Sequence, residues 1–258
     1  MITLTQIIQS FNGALDFMPP SSWLQGRTTY GGLTAALALQ TVLNEYGNAL
    51  PPLKSAQISF IGPAIGPLTF KTQLLRQGRS STFISVDCYS KSEICLRVVF
   101  LFSAPRQHQI DHDYYTSPHV NPPETYKRLN VDKDKPASLA NFDLRPVTST
   151  LPMSCASYPE LLAWVRHVDA SNIDPTVALL ALADGLPPAA ISTIKMMIPF
   201  SSMTWMVNLP TQARNSKWHL MRSISQHAQN GYSYQTMEIW DENSNIVMTG
   251  SQTVAVFG

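Results

Sequence analysis

The chain has 258 residues, of which 44% are hydrophobic and 14% are charged, and its formal net charge at pH 7 is +1. This length suits one large domain or two small ones, and the hydrophobic fraction is ample for a buried core. A net charge so close to zero gives no support for nucleic-acid binding. The sequence has no apolar run of about 18 residues and no signal-peptide pattern at its start, so we expect no membrane span and a cytoplasmic location.

The first half of the chain reads as one buried helix followed by antiparallel strands. The helix is predicted over 33–43, where the residues are apolar almost all round, and Gly31 and Gly32 lie at its N-terminus. Glycine there lets another backbone or a ligand approach the free N–H groups of the helix end. Strands are predicted at 53–61, 68–76, 82–89 and 94–102. Trp23 precedes the glycine pair and is interpreted as a core aromatic or a wall of a ligand pocket.

Residues 105–150 differ in composition and are predicted to be a linker that runs over the surface. Prolines punctuate this interval and charged side chains are dense in it. A histidine and aspartate group at 108–113 could be interpreted as metal ligands, but no second ligand group has matching spacing, so we expect a solvated loop and no metal site. The three cysteines also lack metal-binding spacing, and Cys88 and Cys95 are expected to be core thiols.

The second half repeats the first in outline. A strand is predicted at 160–168, a helix at 173–186 with Asp174 as N-cap and Pro175 at its first position, and strands at 202–209, 218–226, 232–240 and 246–257. A helix with four following strands, present twice, indicates an internal duplication. We therefore predict an N-terminal repeat at 1–104, the linker at 105–150 and a C-terminal repeat at 151–258.

Asp184 is the most unusual polar residue of the second predicted helix. A carboxylate among apolar residues is costly to bury unless it is hydrogen-bonded. Gly185 and two prolines follow it, so it could simply lie at an exposed helix end, although an acid at a helix C-terminus is unfavourable for the helix dipole. The residues alone leave a structural and a functional interpretation open.

Four motifs resemble those of the acyl-CoA thioesterase II family of double-hotdog proteins. They are Tyr30-Gly31-Gly32, the Pro–Gly turn over 60–67, the R-x-G-x-S turn at 76–80 and the strand end at 102–105. The resemblance covers nearly the whole chain and implies an α+β double hotdog, in which each repeat wraps an antiparallel sheet around one helix. It further implies one continuous sheet, two helices packed side by side and an activity that hydrolyses acyl-CoA to a free acid and CoA.

The resemblance also implies the site residues. In that family an Asp, a Ser or Thr and a Gln activate water, and these match Asp184, Ser202 and Gln252, with Ser201 or Thr204 as alternatives for the hydroxyl. Gln252 alone could equally be an ordinary polar residue on a strand. Donors for the oxyanion are expected from the first helix end, at Gly31, Gly32 or Tyr30. No cofactor is expected, acyl-CoA is the expected substrate, and the strand at 94–102, apolar on both faces, suggests a homo-oligomer.

Other interpretations remain open at this point. Without catalysis, the chain would be an acyl-CoA or lipid-binding double hotdog. A hydratase acting on enoyl-CoA would need a histidine near Asp184, and the helix offers none; a serine hydrolase would need a G-x-S-x-G elbow, which the sequence lacks. An apolar cluster precedes or begins the second set of strands and is interpreted either as core or as the lining of an acyl tunnel. It comprises Met196, Met197, Phe200, Met203, Trp205 and Met206.

Overall fold

The computed structural model of the protein describes residues 2–47, 50–132 and 135–257. Its helices are α1 (Leu4–Ser10), α2 (Gly31–Tyr46) and α3 (Pro175–Ala183). The strands of the first half are β1 (Leu24–Gln25), β2 (Thr28–Thr29), β3 (Leu53–Phe60), β4 (Leu68–Gln77), β5 (Ser81–Ser90) and β6 (Glu93–Ser103). Those that follow are β7 (Phe142–Pro146), β8 (Glu160–His167), β9 (Phe200–Asn208), β10 (His219–Gln229), β11 (Tyr232–Asp241) and β12 (Ile246–Val256).

Ten strands form one antiparallel sheet in the order β4-β5-β6-β3-β9-β12-β11-β10-β8-β7. The two halves join where β3 pairs with β9, with Gln57 opposite Met206 at the midpoint of the ladder. The continuous sheet and the double-hotdog architecture predicted above are confirmed. The inner face of this sheet wraps the two long helices, most of whose residues are apolar and buried.

The helices α2 and α3 pack against each other, with the start of α2 against the end of α3. Gly32 makes this close approach possible, since a Cβ there would lie 2.7 Å from the Ala181 carbonyl oxygen. α3 begins as predicted, because the Asp174 side chain accepts from the backbone N–H groups of Thr176 and Val177 and Pro175 occupies the first turn. It ends at Ala183, before the predicted residue 186, because Asp184 leaves the helical conformation.

The interval 105–150 is more than a surface connection. Its residues 142–146 form β7, the edge strand beside β8, which the sequence analysis did not predict. Val120, Tyr126 and Val147 pack over a second apolar cluster on the outer face of the sheet, opposite the helices. That cluster contains Leu162, Trp164, Trp218, Leu220, Trp240 and Ile246.

Trp23, Cys88 and Cys95 are all buried. Trp23 packs against Tyr30 and Phe142, which supports its interpretation as a core aromatic. Cys88 and Cys95 are free thiols with their Sγ atoms 3.5 Å apart. Near the N-terminus, Phe17 forms a single antiparallel bridge with Leu68 at the start of β4.

Candidate active site

Asp184 lies directly after α3, where the end of that helix meets the start of α2. One carboxylate oxygen, Oδ2, accepts from the backbone N–H of Gly32 at 3.0 Å, and the other, Oδ1, accepts from the Gln252 side-chain amide at 3.1 Å. The interpretation of Asp184 as an exposed helix end is therefore wrong, because the side chain is turned inward and bonded on both oxygens. The carboxylate instead links α3, α2 and the sheet.

The environment of Asp184 brings the pKa of its carboxyl group closer to neutral pH. Burial raises the pKa of Asp184 to about 6, while the hydrogen bonds from Gln252 and Gly32 oppose that rise by favouring the carboxylate. A carboxylate whose pKa lies near the working pH can accept a proton effectively and remain ionised in most molecules. This combination is typical of a general base.

Gln252 belongs to a pair of buried glutamines on the inner face of the sheet. Gln252 in β12 is directly opposite Gln235 in β11, and the Gln235 amide nitrogen donates to the Gln252 carbonyl oxygen at 2.8 Å. Gln235 in turn accepts from the backbone N–H of Ala189 at 3.0 Å. Gln235 was not predicted as a site residue, although the sequence carries a signal for it. The inward positions of this strand are Ser233, Gln235 and Met237, so two polar residues lie on a face that should be apolar.

The three candidates at the start of α2 have different surroundings. The N–H of Gly32 is occupied by Asp184. Gly31, the first helical residue, lines a cavity that also borders Asp184, and its N–H has no acceptor within the helix. Tyr30 is buried, donates its hydroxyl to the Ala181 carbonyl at 3.0 Å and packs against Phe142, so its contacts connect the two helices. Gly31 is therefore the best placed of the three to offer an N–H to a ligand.

The register of β9 separates the three hydroxyl candidates. Opposed residues of an antiparallel pair point to the same face. Ser202 is opposite the fully buried Val254, on the inner face, whereas Thr204 is opposite Thr253, one residue along from Gln252 and on the other face. The register shift between these positions brings Ser202 to the same side as Gln252. Ser201 and Ser202 both line the cavity that contains Asp184, and Ser202 Oγ makes no hydrogen bond among the described residues.

A cavity of about 1060 Å³ opens beside Asp184. Its apolar wall includes Phe60, Met197, Phe200 and Met203, and its polar wall includes Gly31 and Ser202. Met196, Met197, Met203 and Met206 are all at least 37% exposed, so the interpretation of the methionine cluster as core is wrong for them, and only Trp205 of that group is deeply buried.

Two cations that the sequence analysis did not single out, Arg27 and Lys135, also line this cavity. Within the described residues there is no group of three or more side chains suited to hold a metal ion. No helix in the described part of the chain combines the length and apolar character needed to cross a membrane.

Comparison with known proteins places these observations in a family. The model of the acyl-CoA thioesterase N-terminal domain matches residues 19–103, and the model of the acyl-CoA thioesterase C-terminal domain matches residues 120–256. No curated protein matches the chain.

Solved structures share the fold at low sequence identity. A conserved protein of unknown function with a hotdog fold from Alicyclobacillus acidocaldarius is 19% identical with a TM-score of 0.84, over 96% of this chain and 95% of that one. An acyl-CoA thioesterase II from Mycobacterium marinum is 19% identical with a TM-score of 0.72, over 88% and 89%. A tesB protein from Mycobacterium avium subs paratuberculosis is 18% identical with a TM-score of 0.74, over 93% and 91%.

The two domain models cover both repeats and the strands and helices that build the site. The neighbours at such low identity support the fold, and the domain models supply the family and its activity. The chain therefore belongs to the acyl-CoA thioesterase family and is a thioester hydrolase.

Proposed function

We propose that the protein hydrolyses acyl-CoA by attack of a water molecule that Asp184 activates as general base. The observation that carries this proposal is the Asp184 carboxylate itself, which is bonded on both oxygens, has a raised pKa and borders a largely apolar cavity. A thioester carbonyl is electrophilic enough for water to attack it without a covalent enzyme intermediate.

In this mechanism the water proton passes to Asp184 while the water oxygen bonds to the thioester carbon. The resulting oxyanion accepts a hydrogen bond from the N–H of Gly31, which is free of an intrahelical acceptor. Collapse of the tetrahedral intermediate breaks the carbon–sulfur bond, and the CoA thiolate leaves and takes up the proton. Ser202 and Gln252 hold the water and the base in line through hydroxyl and amide hydrogen bonds.

The acyl chain would lie along the apolar wall formed by Phe60, Met197, Phe200 and Met203. Methionine side chains adapt to ligands of different shape, so this wall suits a flexible hydrocarbon. Arg27 and Lys135 bring positive charge to the same cavity, which is appropriate for the phosphates of the CoA portion. These features support a role in lipid metabolism, and a cytoplasmic location is proposed as expected from the sequence.

A homo-oligomer is also proposed, and the sheet supports it. Phe83 and Met206 are exposed on the outer face of the N-terminal and central strands. That part of the sheet lies beyond the apolar cluster that the 105–150 segment covers. Molar mass measured by light scattering during size-exclusion chromatography would test this: twice the chain mass or more supports it, and the mass of a single chain contradicts it.

The experiment that tests the function is CoA release from purified protein across acyl-CoA substrates from acetyl to palmitoyl. We expect turnover, with a preference for the chain lengths that the apolar wall accommodates. Acyl-CoA that binds tightly but is never cleaved would contradict hydrolysis and favour a non-catalytic binding protein. The preferred chain length identifies the substrate class in either case.

A further inference from the structure

The two buried glutamines form a chain of hydrogen bonds that begins and ends on one segment of the polypeptide. The Ala189 N–H donates to Gln235 Oε1, Gln235 Nε2 donates to Gln252 Oε1, and Gln252 Nε2 donates to Asp184 Oδ1. Ala189 and Asp184 lie five residues apart in the loop that follows α3. Gln235 and Gln252 are 2% and 4% exposed, so water does not compete for these bonds.

The direction of this chain is determined by its first member. A backbone N–H can only donate, so Gln235 must present its carbonyl oxygen to Ala189. The NH2 group of Gln235 then faces Gln252. Gln252 must accept this hydrogen bond through its carbonyl oxygen, because two NH2 groups cannot hydrogen-bond to each other. The NH2 group of Gln252 is thereby directed at Asp184. An amide side chain that could otherwise adopt either of two orientations is thus fixed by a backbone group.

From this geometry we infer that Gln235 is a positioning residue, which fixes the orientation of the Gln252 amide so that Asp184 always faces a donor and remains ionised. A reversed Gln252 would turn its carbonyl oxygen toward the carboxylate and favour a protonated Asp184, which cannot act as a base. Gln235 neither bonds to Asp184 nor lines the cavity beside it, and in this inference it acts through Gln252. This inference rests on the proposed role of Asp184 but can be tested without measuring catalysis.

The test follows the ionisation of Asp184 by carbon NMR of protein labelled at the aspartate carboxyls. The Asp184 signal is assigned by its loss in Asp184→Asn. Gln235→Met and Gln252→Met should each shift the ionisation equilibrium of Asp184 toward the protonated form by about tenfold at fixed pH, since a hydrogen bond to a charged group contributes that much. The double variant should shift it no further than Gln252→Met alone if Gln235 acts through the Gln252 amide; a further shift would show that it acts through the segment that carries both Ala189 and Asp184, and would overturn the inference.

Gln226→Met is the matched control. Gln226 is an exposed glutamine on the adjacent strand β10, bonded to Thr236, and its removal should leave the ionisation of Asp184 unchanged. Thermal unfolding checks that each variant is folded, and Gln235→Leu replaces Gln235→Met if that variant does not fold. In the wild-type protein the nitrogen signal of the Gln252 amide should titrate with the same midpoint as the Asp184 carboxyl, which needs no variant at all.

An Asp184 ionisation that is unchanged in Gln235→Met or Gln235→Leu would overturn the inference, as would a double variant whose shift is the sum of the two single shifts. A Gln252 amide signal insensitive to Asp184 titration would also overturn it. These results are separate from the proposed function: absent CoA release in the wild type would remove the hydrolase mechanism, while the coupling between the two glutamines and Asp184 would still be measured. If hydrolysis occurs, the pH dependence of kcat in Gln235→Met should move to higher pH, which a purely structural role would not cause.

Discussion

The N-terminal and C-terminal repeats build the same unit of one helix and four strands, yet they fill one position on the inner face of the sheet differently. With Gln57 opposite Met206 at the centre of the sheet, Ala56 of β3 is equivalent to Trp205 of β9. In the N-terminal repeat, Ala56 is paired with Phe100, which is paired with Ile84 on the next strand. In the C-terminal repeat, Trp205 is paired with Gln252, which is paired with Gln235. The C-terminal repeat thus has two amides where the N-terminal repeat has two apolar side chains.

The helices differ at a matching position. Counted from the N-caps Tyr30 and Asp174, Asp184 corresponds to Gln40, whose side chain, within the described part of the chain, bonds to Asn44 on its own helix. The N-terminal repeat contributes the glycine pair instead, and the backbone N–H of Gly32 donates to Asp184 of the C-terminal repeat. The difference shows that one half keeps an apolar core while the other tolerates buried polar groups, because every amide and carboxylate in the chain of bonds has its partner.

The largest effect should follow from removing the acid that breaks the equivalence of the repeats. Asp184→Asn is expected to lower kcat for acyl-CoA hydrolysis by about 10²–10⁴-fold, the usual contribution of a general base. The matched control is Gln40→Ala at the equivalent helix position, which should change kcat little. CoA release measured on both folded variants checks the prediction, and equal losses in the two would refute the assignment of the site to the C-terminal repeat.

The next largest effect concerns the sheet position. Gln252→Met should lower kcat by about 10–100-fold, since Asp184 loses a charge-assisted hydrogen bond and the water loses an orienting group. Phe100→Leu at the equivalent position should cost only stability, about 1 kcal/mol, with activity per folded molecule unchanged. Steady-state kinetics together with urea unfolding separates the two, and a purely catalytic loss in Phe100→Leu would show that the repeats share the site.

The glycine pair tests the contribution of the N-terminal repeat. In Gly32→Ala the new Cβ would lie 2.7 Å from both the Ala181 carbonyl oxygen and the Tyr30 ring, so the two helices must separate. We expect a loss of roughly 1–3 kcal/mol in the free energy of unfolding and a fall in kcat. Gly78→Ala, where a Cβ would meet its nearest atom at 3.4 Å, should change neither. A fully active, fully stable Gly32→Ala would mean that the close approach of the helices is dispensable.

Buried histidines give the C-terminal repeat an acid sensitivity that the N-terminal repeat, which has no histidine at 1–104, cannot share. Burial lowers the pKa of His167 and of His219 to about 4, below the ordinary 6.5, so the unfolded chain binds more protons than the native state between these values. Stability is therefore present above pH 6.5 and lost as the pH falls toward 4. His219→Phe should reduce that loss by on the order of 2 kcal/mol, measured by urea unfolding across this range. An unchanged pH dependence in His219→Phe would show that this histidine does not carry it.

Much of this fold follows from local patterns in the sequence. The strands of both repeats lie within two or three residues of their predicted bounds, because their alternation of apolar and polar residues reflects one buried and one covered or wet face. β7 was not predicted, because Phe142-Asp143-Leu144-Arg145-Pro146 places two charges and a proline in five residues. It forms because the Asp143 carboxylate accepts hydrogen bonds from Arg145 and from Arg166. Arg166 lies on the neighbouring strand β8, so this second contact exists only in the folded sheet.

The site was less accessible to sequence reasoning. Asp184 stood out as a polar residue on an apolar helix, and the family resemblance gave Asp184 and Gln252 their proposed roles. The structure brings their side chains into contact, while their catalytic role remains a prediction. Gln235 was missed because its importance depends on the strand register and on a backbone N–H in a distant loop. The positions of Ser202 and Thr204 on opposite faces depend on a register shift in β9, which no periodicity in the sequence marks.

The most direct test of the account is the pH dependence of kcat for acyl-CoA hydrolysis by the wild-type enzyme and by Asp184→Asn. If Asp184 must be ionised to accept the water proton, the wild-type rate rises with pH through about 6 and then levels off, and the residual rate of Asp184→Asn lacks this rise. A wild-type rate that does not change through this range, or the same rise retained in Asp184→Asn, would contradict the role of Asp184 as the base.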